Sequence, residues 1–164
     1  MDNAMLLIRA RNAMYPYIFS KRYAILDTGF GVVLRNFWAK MLDPSGQIVQ
    51  FLHIDYSAAI EEYVFGLRPK IGKRWKDCDH LLWPYAVDNK FWVLFHVDLI
   101  AWKVIIFDNN QCFIDDAKLH YHILPCINII PQMIQKHVPG KKKIEPLHYW
   151  RKPFVDLQQL QQAR

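Results

Sequence analysis

Phe91 to Asp108 reads FWVLFHVDLIAWKVIIFD, and this stretch decides what the chain can fold into. In its first half Phe91, Val93, Phe95, Val97 and Leu99 are all apolar, while the positions between them pass from Trp92 and Leu94 to His96 and Asp98. A period of two predicts a strand with one fully buried face. The second half, Trp102 to Phe107, is rich in Val, Ile and aromatic side chains. It stops at Asp108, Asn109 and Asn110, residues that end a strand and begin a turn. With Ile100 and Ala101 as the turn, the two halves make a hairpin in which Val93 stands opposite Asp108. Phe91 and Asp108 then share one face at the same end.

Working outward, Asp88, Asn89 and Lys90 supply a turn before the hairpin, and His80 to Val87 (HLLWPYAV) reads as a further strand. Pro84 cannot donate to a ladder, so this strand is expected at an edge or with a bulge. The loop from Leu67 to Arg74 carries Pro69, Gly72 and four basic residues. Ser57 is placed to cap a helix that shows Ile60, Tyr63 and Val64 on one side and stops at Gly66, a residue suited to the left-handed C′ position. Asp27 caps a longer helix reaching Met41, in which Phe30, Val33, Leu34, Phe37, Trp38 and Met41 recur at steps of three and four as a core stripe. Asp43, Pro44, Ser45 and Gly46 then make a turn. At the start of the chain, Asp2 to Arg11 reads as a short helix with Met5 and Ile8 inward. Beyond the hairpin, Asp116 to Lys136 places Leu119, His122, Ile123, Cys126, Ile127, Ile130 and Ile134 on one helical face. Pro125 inside it predicts a kink or two stacked helices. Ile144 to Trp150 reads as a last strand, followed by a Gln-rich end.

With 164 residues, 52% hydrophobic and 15% aromatic, the chain is one domain's worth and has the apolar surface for a sizeable core, so a single domain over 1–164 is expected. No window reaches the roughly 18 consecutive apolar residues of a membrane span, and the first residues lack a signal-peptide pattern. Those absences point to an intracellular protein, nuclear or cytoplasmic, without a membrane partner. Cys78, Cys112 and Cys126 are odd in number and lack CxxC spacing, which argues against a disulfide framework. His120, His122 and Cys126 offer too few ligands for zinc, so no metal or other cofactor is expected. The net charge of +6 suits an acidic surface or nucleic acid. The basic residues are thinly spread, however, with one run at Lys141 to Lys143 that reads as a solvated loop, so nucleic acid is not the expected partner. Nothing in the pattern fixes an oligomeric state.

The order of residues across the middle of the chain resembles the ubiquitin-like-protein proteases, the SUMO-deconjugating cysteine peptidases, and above all their divergent, transposon-associated plant members. Their pattern is a Trp, a short gap, D-x-vy-x-P-n, then H-W-v-L-x-x-v-D-L and finally v-y-D-S. Trp75, Asp79, Pro84, Trp92, Val93, Leu94, Val97, Asp98, Leu99, Phe107 and Asp108 reproduce it, and the 17 residues from Phe91 to Asp108 match the family's interval between catalytic His and Asp. Upstream, family members carry a helix like iDnal-lLR-R followed by yP-x-f, similar to Asp2 to Arg11 with Tyr15, Pro16 and Phe19. Downstream, Val155 to Gln159 look like a degraded start of v-P-Q-Q-x-N-x-x-D-C-G, with Gln159 in the place of the oxyanion Gln. The nucleophile would then fall just past Arg164.

The resemblance implies an α+β fold, a small, mainly antiparallel (mixed) sheet packed between helices, of papain-like cysteine-protease type and incomplete. It implies that Asp108 is the triad acid and that Trp75 and Trp92 belong to the substrate side. It also implies a ubiquitin-like modifier of SUMO type, or its conjugates, as partner. One departure stands out: the family's His position holds Phe91. A cysteine peptidase needs an imidazole to take the thiol's proton and return it to the leaving amine, with an Asp to orient that ring. A phenyl ring has no lone pair for this. Loss of one triad member costs roughly 10⁴ to 10⁶ in rate. His96, five residues on, is turned by strand parity to the opposite face. Cys112 has no helix N-terminus nearby to depress its pKa. The expected function is therefore a peptidase of ubiquitin-like proteins by descent, inactive or truncated as written. The alternative is a non-catalytic module that binds the modifier or another protein through the old substrate face.

Overall fold

The structure, a computed structural model, describes residues 1–17, 22–47, 58–108, 114–138, 140 and 145–152. Its elements run α1 (Asp2–Met14), β1 (Tyr23–Ile25), α2 (Thr28–Met41), α3 (Ala58–Val64), a 3₁₀ turn (Trp75–Asp77), β2 (His80–Val87), β3 (Phe91–Asp98), β4 (Lys103–Phe107), α4 (Asp116–His137) and β5 (His148–Lys152). The strands form one mixed sheet in the order β1-β2-β3-β4-β5. The two central hairpins are antiparallel, and β1 and β5 join parallel at either side. The fold is α+β.

Strand pairing follows the alternation in the sequence. Leu94 pairs with Phe107 and Asp98 with Lys103, the register predicted for the hairpin, although the connection is the four residues 99–102 and not a two-residue turn. Asp98 makes that longer turn possible, since its Oδ1 accepts from the N–H groups of Ile100 (3.0 Å) and Ala101 (2.8 Å). Trp102 takes φ 56° there; its ring is buried and its Nε1 donates to Glu145 O at 2.8 Å. The β2–β3 connection uses Asp88 and Asn89 at φ 50° and 56°, the left-handed pair that a tight hairpin requires and short polar side chains tolerate.

One face of the sheet carries Leu81, Trp83, Tyr85, Val87, Val93, Phe95, Val97, Val104 and Ile106, all buried. Helix α2 packs over it. As its sequence predicted, Asp27 caps it, Oδ1 accepting from Phe30 N at 3.2 Å. Phe30 is the hub, with edge-on contacts to Tyr63, Trp75 and Trp83 at centroid distances of 5.0, 5.7 and 5.0 Å. Burying one such side chain stabilises by about 2–3 kcal/mol. The opposite face is half open among the described residues: Trp92 and Trp150 are exposed, and Leu94, Ile105 and Phe107 are partly buried.

Pro84 pairs with Leu94 in the middle of β2, yet the edge reading holds locally. β1 reaches only Leu82, and Leu82 O accepts from Leu26 N at 2.8 Å. The backbone groups of residue 84, of the same parity as 82, therefore point outward, where no N–H is needed. Three expectations are corrected. In α1 the inward positions are Met5, Arg9 and Asn12, whereas Ile8 is 44% exposed. α4 runs as one helix through Pro125 and Pro131 in place of two stacked ones. The carbonyl that Pro131 leaves unpaired, on Ile127, accepts instead from Leu147 N at 3.4 Å, so the loss is partly made good from outside the helix. The last strand lies at His148–Lys152, later than Ile144 to Trp150. The cap at Ser57 and the run at Lys141 to Lys143 lie outside the described residues.

Gly31 sits where α2 meets the sheet. A Cβ there would lie 2.5 Å from Tyr85 Cδ2 and 2.9 Å from Cε2, and that ring is fixed by the bond from its hydroxyl to His122. Gly31→Ala gains up to about 1 kcal/mol of helix propensity but overpacks a close-packed contact at about 1–3 kcal/mol. A lower urea midpoint with an unchanged slope is the expected result.

Candidate active site

The hairpin brings Phe91 and Asp108 to one end of the sheet. From the pairing of Leu94 with Phe107, Asp108 continues the chain opposite Val93, on the face that also carries Phe91. Phe91 is partly buried against the core. His96 faces the other way, its Nε2 3.1 Å from His80 Nδ1, and cannot stand in for a base at position 91.

Asp108 is 3% exposed, and its carboxylate is engaged by Arg151. Oδ2 accepts from Arg151 Nη2 at 2.7 Å and Nε at 3.2 Å. Arg151 pairs across from Ile106 in β5, so it projects onto the same face two residues from Asp108. The same guanidinium donates to Ile114 O at 2.7 Å and to Asp116 Oδ1 at 2.8 Å. Burial works against its charge, but the bonds to Asp108 and Asp116 outweigh that and raise its pKa. Where a triad needs its acid turned to an imidazole, this acid holds a guanidinium.

Sulfur is no better placed. Cys78 and Cys126 are buried. Burial pushes the Cys126 thiol up, and Cys78 Sγ donates to Arg74 O at 3.3 Å. Cys112 and Gln159 lie outside the described residues. Of the two tryptophans assigned to the substrate side, Trp75 lies in the core on Phe30 with no exposure. Trp92 is 49% exposed and borders an open cavity of about 250 Å³ with Arg35, Tyr85, Ala86 and Asn89. Only Trp92 is in a position to touch a ligand. His120, His122 and Cys126 are engaged apart from one another: His120 with Tyr149 at 3.0 Å, His122 as below, and Cys126 within the core. Among the described residues no cluster of three metal-ligating side chains occurs.

A polar chain running from buried Tyr85 and His122 out to Asp88 and Lys118 at the surface, missed in the sequence, braces the turn that leads into Phe91. Tyr85 Oη lies 2.9 Å from His122 Nδ1, and His122 Nε2 lies 3.1 Å from Asp88 Oδ1; Lys118 pairs with the other oxygen of Asp88. A carboxylate only accepts, so Nε2 carries a hydrogen, and in the neutral ring Nδ1 then accepts from the tyrosine hydroxyl. Burial favours that neutral form. Asp88 and His122 are 34 residues apart, beyond any local pattern.

The hairpin places Asp108 and Phe91 at one end of a mixed sheet with helices on its inner face, an α+β arrangement consistent with a cysteine-peptidase domain. The whole length supports that assignment: residues 4–163 match the Ulp1 protease family, C-terminal catalytic domain. The chain belongs to this family, whose members act on conjugates of ubiquitin-like modifiers. No curated protein and no solved structure gives a significant match.

Two outcomes are expected here. Arg151→Met strands a buried carboxylate and should cost about 3–5 kcal/mol; adding Asp108→Asn should recover much of it, a coupling that a double-mutant cycle of urea titrations measures. Burial, opposed by the bond to Asp88, lowers the His122 pKa from its ordinary 6.5. The unfolded chain therefore takes up the proton first as pH falls. The stabilising effect is complete above about pH 6.5 and is lost below it. His122→Gln should give a lower stability with a flatter dependence on pH between about 5 and 6.5.

Proposed function

We propose that this chain is a catalytically inactive member of the family that binds a ubiquitin-like modifier of SUMO type. One observation carries the reading: at the catalytic end the acid, Asp108, is closed off by Arg151 and the facing position is the hydrocarbon Phe91. Proton transfer needs a lone pair at that spot, and the carboxylate that would orient a base is already held through Oδ2 in a buried ion pair. This holds for any thiol brought to the site.

Binding asks less of the geometry. The cavity beside Trp92 offers an aromatic wall with Arg35 and Asn89 as polar partners, the combination that anchors an extended peptide tail. An exposed Trp is the residue type whose removal costs most at an interface.

A fluorogenic substrate built on the C-terminus of a SUMO-type modifier should show no cleavage above background with the natural chain, and none with Phe91→His. Turnover that disappears on Asp108→Asn would refute inactivity. Titration with the uncleaved modifier, followed by calorimetry, should show saturable heat that Trp92→Ala weakens by about tenfold or more. No heat with SUMO-type or ubiquitin partners would refute the binding role.

A further inference from the structure

Helix α1 turns polar residues inward. Arg9 is 6% exposed and Asn12 is buried with it, while Leu7, Ile8 and Met14 face out. Three residues apart, Arg9 and Asn12 share the helix face that meets the end of β1 and the loop before Trp75. There Arg9 Nε donates to Lys70 O at 2.9 Å and Nη1 to Ile25 O at 3.3 Å. A guanidinium has five N–H donors, and those two bonds leave most of them unused. No carboxylate lies within ion-pair distance of Arg9 among the described residues. Burial lowers its pKa, and Asp27 and Asp2 oppose this only from longer range. Both acids are committed elsewhere, Asp27 to Phe30 N and Tyr63 Oη, Asp2 to Thr28.

A second cation faces the same place. Lys73 is half-buried, with Nζ 3.5 Å from Asn12 Oδ1 and no carboxylate partner among the described residues. Arg9, Asn12 and Lys73 line a cavity of about 220 Å³, with Tyr23 and Gly72 in its wall. Ile71, beside Gly72, holds φ 61°, a costly region for a β-branched residue. A buried cation is expensive unless a charge answers it. One buried and one half-buried cation open on this cavity, and no acid stands in its wall among the described residues, an arrangement that suits an anion from outside.

We propose that this cavity is an oxyanion site and that its ligand is a phosphate group. Two cations match a dianion, and the arginine fork matches two of its oxygens. With Asn12 Oδ1 turned to Lys73, the amide nitrogen of Asn12 remains as a further donor. The site shares no residue with Phe91, Asp108 or the Trp92 cavity, so it stands or falls separately from modifier binding.

The test is titration of the full chain with inorganic phosphate and with phenyl phosphate, in chloride buffer at constant ionic strength. Thermal unfolding and the ¹⁵N signals of the arginine Nε–H groups are the readouts. Saturable binding of either probe is expected. Melting should rise by about 5–10 °C at a hundred-fold excess over Kd, and one arginine signal, lost in Arg9→Lys, should shift. Binding of inorganic phosphate assigns the free ion, and binding of phenyl phosphate alone assigns a phosphate carried on a larger group. Lys73→Met, at a half-buried position that the fold can spare, should weaken binding about tenfold or more, whereas Lys103→Met on β4 should leave it unchanged. Neither probe saturating, or equal affinity in Lys73→Met and the natural chain, would overturn the proposal.

Discussion

The ion pair between Asp108 and Arg151 stands where β4, β5 and the start of α4 meet. It ties the end of β4 to β5, while Asp108 N donates to Lys152 O at 2.9 Å alongside it. Through Ile114 and Asp116 the same guanidinium reaches the start of α4. A parallel strand at the side of a sheet cannot be held by a tight turn and depends on what fastens it. Here the ladder with β4 is reinforced by a buried ion pair, expensive to form and more expensive to break. The carboxylate that a peptidase would use for orientation serves as a structural anion.

The hydrocarbon at position 91 is consistent with that role. Val87 pairs with Phe91, so the ring extends the apolar face of β2 and β3 to the end of the sheet. An imidazole there would need partners for both nitrogens. The one buried histidine of the inner face, His122, has them in Tyr85 and Asp88. Chemistry and stability therefore pull on the same end of the sheet in opposite directions, and the residues present serve stability.

How much of this was legible in the sequence depends on distance along the chain. The register of the central hairpin, the capped helix after Asp27 and the left-handed Gly66 (φ 72°) follow from periodicity and cap chemistry within a few residues. The class of the site followed from the order of Trp75, Asp79, Pro84, Trp92 and Asp108. What decided the site did not. Arg151 lies 43 residues from Asp108, and no local pattern couples them. Helix α1 misled for the same reason: the carbonyls that Arg9 bonds belong to Ile25 and Lys70, 16 and 61 residues away. α4 runs on through both prolines, and the carbonyl that Pro131 frees is met by an amide beyond the helix, which no local pattern foretells.

The short reach of β1 has a bearing on how these molecules meet one another. Past Leu82 the outer rim of β2 pairs with no strand among the described residues, and an unpaired rim on a strand that carries Trp83 and Tyr85 invites a second copy to zip alongside. Pro84 stands in that rim with its nitrogen outward and no hydrogen to offer. An incoming strand would find the rung missing midway, so the imino acid blunts this rim against edge-to-edge pairing.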